Sequence, residues 1–92
     1  MVRLKWSEEK GVGKYRGREL KDYRASVGHV TYQIDSYPHT TCLLYRVYCR
    51  VEKDNGNETV LHILDTRQLR HAKGYCQLDA DKMERAGTLT AS

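Results

Sequence analysis

Hydrophobic and polar side chains alternate most clearly in residues 43–52, with the sequence LLYRVYCRVE. Side chains two positions apart in a β-strand point to the same face of a sheet. The alternation therefore predicts a strand with one buried face and one exposed face. The buried positions are Leu43, Tyr45, Val47, Cys49 and Val51, and the exposed positions are Arg46, Tyr48, Arg50 and Glu52.

The preceding segment follows the same two-residue period. Residues 29–35 alternate between apolar and polar side chains, which predicts another strand. Pro38 cannot donate a backbone hydrogen bond, so we expect residues 36–41 to interrupt the sheet. The inward positions of this strand are Val30, Tyr32 and Ile34.

A hairpin is predicted after residue 52, because the sequence Asp-Asn-Gly-Asn at 54–57 is typical of a tight turn. Residues 58–64 would then return as the partner strand. We expect Leu61 and Ile63 to face inward, and His62 to point outward beside the arginines.

Glycine interrupts the pattern in the first 28 residues. Residues 2–6 alternate, which predicts a short strand that inserts Trp6 into the core. Residues 11–18 contain three glycines among basic and aromatic residues, which predicts a loop or a flexible hairpin tip. Residues 19–26 predict a further strand, and residues 27–28 a turn. The inward positions of that strand are Tyr23 and Ala25.

The period changes to that of a helix after residue 64. Asp65, followed by Gln68 three positions later, resembles a capping box and predicts the helix start. Gly87 predicts the helix end. Gly74 lacks a side chain and is expected to permit close approach to the sheet. Apolar residues recur at three- and four-residue steps as Leu69, Ala72, Cys76, Ala80 and Met83.

The elements together predict a small α+β fold. We expect an antiparallel meander of about four strands, with one C-terminal helix packed on one face and the other face open. Ninety-two residues are consistent with one domain. Its parts would be a basic N-terminal strand and glycine-rich loop in residues 1–28, antiparallel strands in 29–64, a helix in 65–87 and a frayed tail in 88–92.

The positive charge is concentrated near the N-terminus. Residues 1–28 hold eight of the sixteen Lys and Arg residues but only four of the twelve acidic residues, so they carry the whole net charge of +4. Such a segment is a candidate for contact with phosphates or an acidic protein surface. The alternative is a solvated surface that serves solubility.

Several classes of protein are disfavoured by what the sequence lacks. No apolar run approaches the ~20 residues of a membrane-spanning helix, and the N-terminal residues do not resemble a signal peptide. An odd number of cysteines, Cys42, Cys49 and Cys76, favours reduced thiols in the cytoplasm.

The sequence carries no motif of a known catalytic class, such as a nucleophile elbow or a phosphate-binding loop. We therefore predict a protein that is not an enzyme. His39 and Cys42 have ligand-like spacing, but there is no Cys-x-x-Cys pair, so we expect neither a metal site nor a cofactor.

A partner-binding surface is the remaining candidate for function. Arginine binds phosphate or carboxylate in bidentate fashion, and tyrosine stacks on bases or anchors protein interfaces. The alternative is that these side chains serve cross-strand pairing. The candidate contacts are Arg46, Tyr48 and Arg50 on the open face, Lys14, Tyr15, Arg16 and Arg18 on the glycine-rich tip, and Arg67 and Arg70 on the helix.

The order of these features resembles that of small phage and prophage accessory proteins, which include anti-CRISPR inhibitors. The resemblance covers most of the chain. It implies a protein without catalytic residues that acts in the host cytoplasm by binding a host effector complex, such as a CRISPR–Cas ribonucleoprotein. The matching positions are Trp6, Tyr23-x-Ala25, Gly28, Tyr32-x-Ile34, Asp65-Thr66, Leu69, Ala72 and Cys76.

Four hypotheses follow. The first is an anti-CRISPR or other anti-defence inhibitor that docks on a nucleic-acid-targeting complex and blocks target DNA binding or activation. The second is a module that binds DNA or RNA directly. A small nuclease and a virion assembly protein are the other two. The sequence leaves the partner and the oligomeric state open.

Overall fold

Five antiparallel strands and one helix make up the described part of the chain, residues 3–53 and 56–87 of a computed structural model. The strands are joined in sequence order, β1-β2-β3-β4-β5. The α+β class is confirmed, with one strand more than the four expected. The elements are β1 (Ser7–Tyr15), β2 (Arg18–Val27), β3 (Val30–Pro38), β4 (Leu43–Glu52), β5 (Glu58–Thr66) and α1 (Leu69–Arg85).

The additional strand is β1, which lies where the sequence suggested a flexible loop. β1 and β2 form a hairpin whose tip is the two-residue turn Arg16-Gly17, with φ of 51° and 77°. Positive φ at both central residues matches the right-handed twist of the flanking strands. The hairpin tip is thus confirmed, but the glycines before it belong to a strand with a bulge between Lys10 and Lys14.

The prediction of a strand at residues 2–6 is wrong for the residues that the structure describes. Residues 3–6 have no regular secondary structure, and Val2 lies outside the described residues. The Leu4 N–H donates to Gln77 Oε1 at 3.1 Å, and Leu4 is buried. Trp6 is half-buried against the core. This segment therefore packs beside α1 instead of extending the sheet.

The core lies between α1 and one face of the sheet. Tyr32 pairs with Cys49, and Ile34 pairs with Val47, so the inward positions of β3 and β4 are neighbours. All four are buried, which confirms the predicted alternation. β3 also continues to Pro38, three residues beyond the predicted end. β2 pairs with β3 only as far as Ile34, so Pro38 lies on a stretch that pairs with β4 alone and is an edge on its other side, where proline is tolerated.

α1 begins at Leu69, four residues later than predicted. Asp65 lies in β5, and the N-cap residue is Gln68, which makes no side-chain capping bond. The Asp65 carboxylate instead contacts His62 and Arg46, so it is not available to a helix amide. Ala72, Cys76 and Ala80 are buried, and Leu69 and Met83 pack at the core's margin, so the apolar stripe is confirmed.

Two glycines, one within α1 and one after it, were given roles from the sequence. Gly74 is exposed, and nothing lies within 4 Å of where a Cβ would stand, so the expected close approach to the sheet is wrong. Gly87 follows the helix, and its N–H donates to the Glu84 carbonyl at 3.0 Å. The predicted tail, residues 88–92, lies outside the described residues.

A bulge in β5 changes its inward positions. Val47 pairs with Leu64 but Tyr48 pairs with His62, which leaves Ile63 as the extra residue. Ile63 packs at the margin of the core, as predicted. Leu61 was also expected to be inward, but its side chain is 56% exposed. It lies on the helix side of an edge strand, beyond the cover that α1 provides.

Within the described residues, α1 lacks the length and apolar character needed to cross a membrane.

Candidate docking face

The sheet face opposite α1 carries the arginine and tyrosine side chains that were predicted to be exposed. Val47 and Cys49 are buried beneath the helix, so Arg46, Tyr48 and Arg50 point to the other face. We call this surface the open face. It extends over all five strands and includes Arg24 of β2 and His62 of β5.

Arg46 is held by an aromatic ring and a carboxylate. Its guanidinium carbon lies 4.1 Å from the centre of the Tyr37 ring, and its Nε lies 3.7 Å from Asp65 Oδ1. A guanidinium over a tyrosine ring is attracted by the ring quadrupole. Both partners were missed in the sequence, because Tyr37 was assigned to an interruption and Asp65 to a helix cap.

The other two arginines of the open face are also near carboxylates. Arg50 Nη1 lies 3.9 Å from Glu58 Oε2, and Arg24 Nη1 lies 3.6 Å from Glu9 Oε1. These side chains are partly exposed, so the pairs contribute little to stability. Their effect on function is larger, because each carboxylate offsets a positive charge on this face.

His62 points to the open face, as predicted, and lies beside Tyr48. Their ring centres are 5.4 Å apart, and His62 Nε2 lies 2.7 Å from Asp65 Oδ1. Asp65 Oδ1 therefore contacts both His62 and Arg46. The result is a row of connected side chains across β3, β4 and β5, which holds the two tyrosines in place.

A groove of about 190 Å³ lies on the open face beside β1. Val12 of β1 forms one wall and is 89% exposed. Burial raises the pKa of Asp22, the neighbouring Asp35 and Glu9 carboxylates raise it further, and the Ser36 N–H, which donates to Asp22 Oδ1 at 3.0 Å, lowers it. The groove is lined by Val12, Asp22, Asp35, Ser36, Tyr37, Arg46 and Tyr48.

The open face is therefore of mixed charge. Carboxylates beside the arginines lower the positive potential that attracts phosphate. Here the acids that offset them come from four strands, a distribution that the alternation within single strands does not reveal. Those acids are Glu9, Asp22, Asp35, Glu58 and Asp65.

The glycine-rich tip is a separate site. Arg16 stacks over the Tyr15 ring, with the guanidinium carbon 5.4 Å from the ring centre. Within residues 3–53 and 56–87, Lys14, Arg16 and Arg18 form no ion pair, and all three are exposed.

The predicted contact residues do not form one continuous patch. Antiparallel pairing puts the β1–β2 turn and the β5–α1 junction at the same end of the sheet, but at opposite edges. Arg67 and Arg70 are exposed at that junction. Arg50 pairs with Thr31 toward the other end of the sheet. The structure thus joins Arg46, Tyr48 and Arg50 on one face, and places the tip at the opposite edge of the sheet from Arg67 and Arg70.

The cysteines and histidines do not come together as a metal site among the residues that the structure describes. Burial, together with the negative charge of Asp79, raises the pKa of Cys49 to about 11 and that of Cys76 to about 12. Thiols of this kind pack as small apolar side chains.

Comparison with protein-family models, with curated proteins and with solved structures found no match for this chain.

Proposed function

We propose that the protein acts by binding another protein, with the open face as its docking surface and with no catalytic step of its own. The observation that carries this proposal is the arrangement of Tyr37, Tyr48 and Arg46 on a sheet face that the helix leaves uncovered. Tyrosine and arginine are the residue types that most often dominate the energy of protein interfaces.

Mixed charge favours a protein partner over a nucleic acid at this face. A phosphate that bound Arg46 or Arg50 would have to displace Asp65 or Glu58 from its arginine. A protein surface with both signs of charge can instead complement arginines and carboxylates together. The contacts between Arg46, Tyr37 and Asp65 also place these side chains before binding, which lowers the entropy lost on association.

The partner we propose is a host nucleic-acid-targeting complex, bound in the host cytoplasm. This part of the proposal is supported by the resemblance to anti-CRISPR proteins, in which a small protein without catalytic residues inhibits a CRISPR–Cas ribonucleoprotein. Docking by the open face would block target DNA binding or activation.

The test is capture from a bacterial lysate that contains such complexes, followed by a DNA-cleavage assay with the captured complex. The immobilised baits are the wild type, the double variant Arg46→Ala/Arg50→Ala, and Tyr75→Ala as a control. Tyr75 is 40% exposed on the helix, away from the open face. We expect the wild type and Tyr75→Ala to capture and inhibit a complex, and the double variant to bind at least about tenfold more weakly.

Two results would contradict the proposal. One is capture of no defence or nucleic-acid-handling complex by the wild type. The other is capture that the double variant and the control reduce equally, since binding would then not depend on the open face.

Direct binding of DNA or RNA is the second candidate, and the glycine-rich tip favours it because its cations form no ion pair among the residues that the structure describes. The test is a titration of the wild type and of the triple variant Lys14→Ala/Arg16→Ala/Arg18→Ala with duplex and single-stranded nucleic acid. Phosphate contacts predict a steep loss of affinity with salt, and a slope that falls by about one for each contact removed. Absence of wild-type binding at low salt would exclude this candidate.

A further inference from the structure

The two edges of the sheet differ in how they are protected against pairing with another strand. An edge strand leaves backbone N–H and C=O groups without a neighbouring strand, and proteins usually protect it with charges, bulges or proline. β1 has such protection, with charged residues through much of its length and a bulge between Lys10 and Lys14.

β5 has less of this protection over its first five residues, 58–62, where Glu58 is the one residue with a formal charge. The sequence there is Glu-Thr-Val-Leu-His, without Lys, Arg or Pro. This segment exposes one apolar side chain on each face of the sheet. Val60 is 50% exposed on the open face and Leu61 is 56% exposed on the helix side. In the described residues β4 is the neighbour of β5 in the sheet, and the outer edge of β5 has none.

We infer that residues 58–62 of β5 pair antiparallel with the same residues of a second copy of this chain, joining two five-stranded sheets across a two-fold axis. With the axis at Val60, that residue lies opposite itself, Thr59 lies opposite Leu61, and Glu58 lies opposite His62. Residues directly opposite each other in an antiparallel pair share a face. The register of β5 against β4 satisfies this condition for all three pairs.

The occupant is a second copy because the segment is complementary to itself. In a two-fold interface each contact between two different residues occurs twice. The pairs of Glu58 with His62 and of Thr59 with Leu61 meet this condition. No like charges face each other. Electrostatic repulsion between two chains of net charge +4 is also small at this edge. The segment carries one acid and one histidine, and Glu58 lies near Arg50 of the same chain.

The bulge limits the length of the pairing. Ile63 is the extra residue in β5, so the regular strand ends after His62. Five paired residues on each side form a small interface, below the ~1,200 Å² total of most specific complexes, so we expect a weak, concentration-dependent dimer.

Sedimentation equilibrium of the whole chain tests this inference. We expect the wild type to change from monomer toward dimer between about 10 µM and about 1 mM, the range for a small interface. Val60→Lys places two ammonium groups opposite each other and is expected to weaken dimerisation by at least about tenfold. Val12→Lys is the matched control, because it makes the same change at an exposed valine of the opposite edge strand.

Hydrogen exchange of the wild type provides a measurement that needs no variant. Amides in residues 58–62 are expected to gain protection as the protein concentration rises, while those of β1 do not. A wild type that stays monomeric throughout, association beyond a dimer, or equal loss of dimer in Val60→Lys and Val12→Lys would overturn the inference.

Discussion

Tyr32 joins the sheet to the helix through its hydroxyl, which contacts Asp79 and the Met83 sulfur. Its ring is buried in β3, and its hydroxyl donates to Asp79 Oδ2 of α1 at 2.6 Å. Removing the hydroxyl in Tyr32→Phe leaves the Asp79 carboxylate without this donor beside an apolar core. Because the acceptor is charged, we expect the free energy of unfolding to fall by about 1.5–3 kcal/mol, measured by urea denaturation.

Tyr75→Phe is the control for the loss of a tyrosine hydroxyl as such. Tyr75 is exposed on α1, so we expect a change within about 0.5 kcal/mol. If Tyr32→Phe costs no more than Tyr75→Phe, the hydrogen bond to Asp79 does not stabilise the junction of helix and sheet.

The elements that could be predicted are those whose signal is local. β4 was predicted with its observed ends, and the apolar stripe of α1 was identified from its period. β1 was missed because its glycines resemble a loop, whereas pairing with β2 decides its conformation. The predicted helix start was wrong because Asp65 lies in β5, where its carboxylate contacts His62 of the same strand and Arg46 of β4. Such contacts depend on register between strands, which one strand's pattern does not encode.

Two glycines in different elements predict opposite effects on stability when each is replaced by alanine. Gly74 is exposed within α1 with open space around it, so Gly74→Ala is expected to stabilise the protein by about 0.5–1 kcal/mol. A Cβ at Gly11 would lie 2.9 Å from the Leu20 carbonyl oxygen. Gly11→Ala must therefore shift the β1–β2 hairpin, and we expect a loss of about 1–3 kcal/mol.

Urea denaturation of both glycine variants beside the wild type checks this pair, with each acting as the control for the other. A stabilising Gly11→Ala would show that the hairpin adjusts without cost. A destabilising Gly74→Ala would show that the helix needs glycine at that position for a reason other than space.

At the scale of the whole molecule, the candidate site was predictable in position but not in charge. Alternation alone placed Arg46, Tyr48 and Arg50 on one face, and the hairpin after β4 placed His62 beside them. The carboxylates that offset the arginines come from β1, β2, β3 and β5, so they became evident only with the register of the whole sheet. The mixed charge supports the first of the four hypotheses, docking on a protein partner, over direct binding of nucleic acid at this face.

Global stability is expected to fall in alkaline solution, because buried thiols resist ionisation. Both Cys49 and Cys76 keep their protons in the folded state well above the ordinary thiol pKa of 9.0. Below pH 9.0 both states hold these protons, and the stabilisation is complete. Above it the unfolded chain releases them first, so stability is lost until the folded pKa values of about 11 and about 12 are passed.

The slope of unfolding free energy against pH measures this effect in a reducing buffer. Each thiol contributes up to about 1.4 kcal/mol per pH unit in that window. The buried Tyr32 hydroxyl, whose pKa is also raised by burial and by Asp79, acts in the same direction. Cys76→Ala is expected to make the slope shallower by about one proton. A wild-type slope in Cys76→Ala would show that this thiol meets water in the folded protein, and that α1 does not seal the core above β4.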